Sequence, residues 1–71
     1  MFELVKILET ALEYREKGIK WFDAYCNNHD EDCYNMAQSF MIHAEGLLEA
    51  YEILTGNEIR LSMIEQELKE Y

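Results

Sequence analysis

Proline is absent from this 71-residue chain and glycine occurs only three times. Little in it breaks a helix, and little supplies tight strand turns. Basic residues are scarce as well: six Lys and Arg stand against 15 Asp and Glu, a formal charge of −9. Such a chain is repelled by nucleic-acid phosphates and by anionic lipid, which argues against either as a direct partner. No apolar run approaches the ~20 residues needed to span a bilayer. Met1 leads into an amphipathic pattern rather than into a basic start and a continuous apolar stretch, so a cytoplasmic protein is expected. Cysteine is limited to Cys26 and Cys33, expected as free thiols in a reducing compartment.

Signals for chemistry are missing too. There is no Gly-rich phosphate loop and no Ser or Cys nucleophile beside a recognisable base. Neither His29 nor His43 follows a Glu by three residues, as a carboxylate-bridged metal pair in a bundle requires. The acidic stretch Asn28 to Ser39 fails the calcium-loop frame, with Cys33 at its sixth place and Ser39 at its twelfth. No catalysis and no cofactor are expected. Cys26, His29 and Cys33 offer three zinc-binding groups, with Asp30 or Asp32 as the fourth, so a small zinc module stands as an alternative. Both Cys also fall on apolar stripes, where a thiol packs as a small apolar group.

What is present is apolar material at helical spacing. Leu4, Leu8, Ala11, Leu12, Ile19, Phe22 and Cys26 mark one side of a helix predicted from Phe2 to Cys26. Its other side carries Glu13 with Lys17 and Glu16 with Lys20 in the favourable order. Asn27 to Asp32 supplies a turn, with Asp30 or Asp32 placed to cap the next helix. That helix is predicted from Cys33 to Thr55, with Met36, Ala37, Phe40, Ala44, Leu47, Leu48, Tyr51 and Leu54 on its stripe and Gly56 ending it. A short link favours an antiparallel hairpin, in which residue numbers adding to about 59 lie opposite each other. Leu8 then faces Tyr51, Ile19 faces Phe40, Cys26 faces Cys33, and Gly18 leaves a notch beside the Phe40 ring. Asn57 is placed to cap a third helix of ~14 residues, with Leu61, Ile64, Leu68 and Tyr71 on one side.

The predicted fold is therefore all-α: a long antiparallel hairpin and a shorter third helix in one domain spanning 1–71. More apolar residues remain than this arrangement covers. Ile7, Tyr14 and Trp21 run by sevens along one edge of the first helix. Ile42 and Ile53 lie off the stripe of the second, near a seam of Ser39, Gly46 and Ala50 that permits another helix to approach closely. Ile59 and Met63 repeat the surplus on the third. A chain this short buries only about 60% of its unfolded surface, so the surplus is expected to be covered by a second copy in a homodimeric bundle.

Arg15 is the misplaced charge, inside the apolar stripe and level with Ala44; Glu45 is its nearest candidate partner in a single chain. Glu45, Glu49 and Glu52 can adjoin Glu9, Glu13 and Glu16 as an acidic surface for a basic protein. Such a surface could also imitate DNA in a basic groove. The expected function is non-enzymatic association, as a homodimeric adaptor or regulator of another macromolecule. The DNA-mimicking inhibitor is the second reading.

Overall fold

The computed structural model describes residues 2–71, and these form three helical segments and no strand. Helix α1 spans Phe2–Asn28 and α2 spans Glu31–Thr55. A 3-10 turn over Leu61–Met63 then runs into α3, Ile64–Leu68. The link between the long helices is shorter than the sequence suggests, just His29 and Asp30. His29 takes φ 55°, a conformation usually left to Gly or Asn, and its N–H bonds the Tyr25 carbonyl at 2.6 Å to close α1. Asp30 is extended (φ −87°, ψ 117°) and accepts the Asp32 N–H at 2.9 Å. This cap starts α2 two residues before the predicted Cys33. At the far end Gly56 adopts φ 74° and bonds the Glu52 carbonyl, so α2 stops at Thr55 as expected.

The hairpin register follows the predicted pairing. Leu8 and Tyr51 meet in the core, Gly18 lies against Met41, and the Tyr25 and Tyr34 rings are 5.2 Å apart. One detail differs: Met41, not Phe40, fills the notch at Gly18. A Cβ at Gly18 would sit 3.1 Å from Met41 Cγ, closer than comfortable contact. Phe40 instead turns to the other edge and stacks on Tyr14, centroids 5.9 Å apart, which leaves Ile19 half exposed rather than facing it. The flexible thioether fits an irregular notch that a rigid ring cannot.

The third segment departs further from expectation. Asn57 caps nothing, because the loop spends its donors elsewhere: Asn57 N–H bonds Thr55 Oγ1 at 3.1 Å and Ile59 N–H bonds the Glu52 carboxylate at 3.1 Å. Ile59 is consequently not on a helix. It plugs the core at 6% exposure beside Leu8, Ala11, Leu48, Tyr51 and Ile64. Extended Arg60 (φ −110°, ψ 156°) then redirects the chain, and only Leu61 to Leu68 is helical. The predicted ~14-residue helix is about half that length. Among the described residues, no helix is long and apolar enough to cross a membrane.

Candidate functional site: an uncovered side and an open tip of a helical hairpin

The third segment covers one side of the hairpin, and a buried cation fixes where it starts. The Arg15 side chain is 17% exposed. Its Nη1 donates to the Leu61 carbonyl at 2.7 Å and its Nη2 pairs with Glu65, while Nε has no partner among the described residues. The hydrogen bond from Arg15, then its charge, holds the Glu65 carboxyl below the usual range. Glu45, the partner expected from sequence, is exposed. The folded-back segment brings Arg15 a carbonyl and a carboxylate from 46 and 50 residues away. From Arg15 the segment runs toward Tyr51, whose buried hydroxyl meets Glu67 at 2.6 Å and Tyr71 at 2.6 Å. Tyr51 has one proton to give; bonded to the carboxylate, it must accept from Tyr71. Burial, then the hydrogen bond to Glu67, pushes the Tyr51 hydroxyl pKa far above its ordinary value.

Successive helical side chains point about 100° apart, so Tyr14 and Phe40 look to the side of the hairpin opposite Arg15 and Met41. That side carries no third segment. Tyr14 stacks on Phe40 and lies 5.4 Å from the His43 ring, and Lys17 Nζ sits 5.8 Å from both the Tyr14 and Phe40 centroids. The same side bears half-buried Ile7, Leu47 and Ala50, with Trp21, Met36 and Leu54 exposed. By helical position Glu9, Glu13 and Glu16 on α1 and Glu45, Glu49 and Glu52 on α2 all fall outside it. Apart from Glu3 and Asp32 at its ends, the face lacks acid in a chain of charge −9.

The predicted contact residues divide accordingly. Ile7, Tyr14 and Trp21 lie on this face, and Gly46, Ala50 and Ile53 border it, with Ile53 83% exposed. Ile42 is exposed on the outer side of α2, Met63 is exposed on the third segment, and Ile59 leaves the set because it is buried within the chain. Ile7 contributes to the chain's own core as well. Sequence reading overlooked Met36, Phe40 and Leu54 as part of this face because they were assigned to the hairpin's internal stripe.

The covered side is not covered to its end. Beyond Leu61, toward the hairpin tip, Gly18, Phe22, Tyr34, Ala37, Gln38 and Met41 line a groove of about 170 Å³. At that tip Cys33 is buried and Cys26 exposed, both as free thiols. Among the described residues no three His, Cys, Asp or Glu side chains converge as a metal-holding group. Glu52 is drawn out of the expected acidic row by its bond to Ile59. Comparison with family models, with curated proteins and with solved structures finds no match.

Proposed function

We propose that the chain works by protein–protein association, without chemistry of its own, as a homodimeric helical adaptor or regulator. The carrying observation is the acid-free apolar face made by Tyr14, Trp21, Phe40, Leu47 and Leu54. Fifteen carboxylates are spread over the chain, yet the middle of this face has none. Two copies can therefore meet there without setting carboxylate against carboxylate, Lys17 being the charge that flanks the rings, whereas contact through the outer sides of the two helices brings Glu against Glu.

The dimensions suit a second copy. The molecule measures 40 × 20 × 17 Å, so a long side offers both helices along their length to a second copy. Its 5198 Å² of accessible surface exceeds by about 550 Å² the ~4,650 Å² typical of a monomer of this mass. Two hairpins stacked face to face would form a four-helix bundle, with the third segments on the outside.

Analytical ultracentrifugation tests the proposal. The native protein should sediment at twice the 8.5 kDa of one chain. Ile53→Glu with Leu54→Glu should return it to a single chain of unchanged helicity, because both side chains are exposed within the subunit. A native protein of 8.5 kDa at every concentration overturns the proposal.

A further inference from the structure

We infer that the groove at the hairpin tip, on the side opposite the dimer face, takes a basic amphipathic helix from a different protein. The inference adds a heteropartner to the association proposed above and depends on it only for the number of grooves per assembly.

The groove continues a track that a helix already occupies. The third segment enters beside Arg15 and leaves the seam toward Gly18 and Phe22 empty. Its floor is made of Ala37 and of Met41 where that side chain covers Gly18. On one wall Gln38 Nε2 donates to the Tyr34 hydroxyl at 2.7 Å. Phe22 and Ile19, each 47% exposed, form an apolar lip. Apolar in its lining, this seam suits the apolar stripe of a helix laid into it.

Charge selects the partner. Ile19 borders a second depression lined by Glu13, Glu16 and Asp23 together with Lys17 and Lys20. The other helix of the seam, α2, has Glu31 beside Tyr34 and Glu45 one turn beyond Met41, and it contains no Lys or Arg. A helix entering here is favoured if its flanks carry Lys or Arg and repelled if they carry Glu. A second copy of this chain is a poor occupant, since at a net charge of −9 it brings like charge to the acids around the seam. The net charge of −9 likewise disfavours nucleic acid and anionic membrane.

The probe is a fluorescein-labelled peptide of Leu and Lys, about 18 residues or five turns long, with Leu at helical spacing. A peptide of identical composition in scrambled order separates the groove from general attraction of a polycation. Anisotropy should show saturable binding of the ordered peptide, weakened at least about tenfold by scrambling or by Ile19→Gln with Phe22→Gln. The Met41 methyl resonance should shift on saturation while that of Met63 stays, a readout that needs no variant to fold. Equal affinity for the scrambled peptide, unchanged affinity of the variant, an unmoved Met41 methyl or absence of binding each overturns the inference. Sedimentation of the same samples reports the dimer separately: an 8.5 kDa species that still binds the ordered peptide overturns the dimer and leaves the groove standing.

Discussion

Arg15 holds the third segment through a carbonyl more than through an ion pair. Its guanidinium is mostly buried, but the side chain of Glu65 is 62% exposed, so water screens that attraction. The bond to the Leu61 carbonyl is part-buried, and removing its donor leaves the carbonyl without its partner. Arg15→Ala should therefore cost about 1–3 kcal/mol, with lost packing of the arginine stem adding to it. Arg15→Met should recover the packing but not the carbonyl bond. Glu65→Gln should change stability at neutral pH far less than either. Urea unfolding followed by circular dichroism orders the three variants; a Glu65→Gln midpoint as low as that of Arg15→Ala would show that the ion pair dominates.

At the scale of elements, α1 and α2 were legible because each carries its own instructions. The apolar spacing sets the length, Asp30 caps one end of α2, and Gly56 closes the other. The third segment was not legible for the opposite reason. Leu61, Ile64 and Leu68 have the spacing of a long helix, but Ile59 is worth more as a core plug and Glu52 takes its N–H. Arg15 likewise found its partners through the folded-back chain, beyond the reach of local spacing. A 3-10 turn and five α-helical residues cannot hold themselves in water, so this element depends on its anchors, and two of those titrate. The folded-state pKa of Glu65 is lowered by Arg15. Its contribution is present above the ordinary Glu value of about 4.3 and is lost as pH falls through the folded value. The Tyr51 pKa is raised, so the contribution of its neutral hydroxyl is fully present below about pH 10 and is lost as pH rises toward the folded value. The third segment should be docked most firmly between those limits. Amide exchange of residues 59–68, corrected for intrinsic rates, should rise on the acid side, and Glu65→Gln should flatten that acid limb. Acid limbs of equal slope in both proteins would place the titrating contact elsewhere.

The whole molecule is longer than its mass requires. Its radius of gyration is 13.2 Å, against about 11 Å for a folded chain of this size, because two long helices lie side by side with the third segment packed on one side of them only. Gly46 borders that side, and its two roles predict opposite responses to one methyl group. Within a single chain an added Cβ meets nothing within 4 Å, so Gly46→Ala should stabilise the helix by up to about 1 kcal/mol. Against a second hairpin the same methyl fills the closest approach between helices and must push them apart. Dimer stability rises with concentration by mass action, so a dilution series separates the two effects. Gly46→Ala should melt above the native protein at concentrations low enough to leave single chains, and lose that advantage as the native dimer forms. A gain that persists undiminished at high concentration, with sedimentation still showing a dimer, would move the contact off Gly46 and toward the Tyr14 and Phe40 rings.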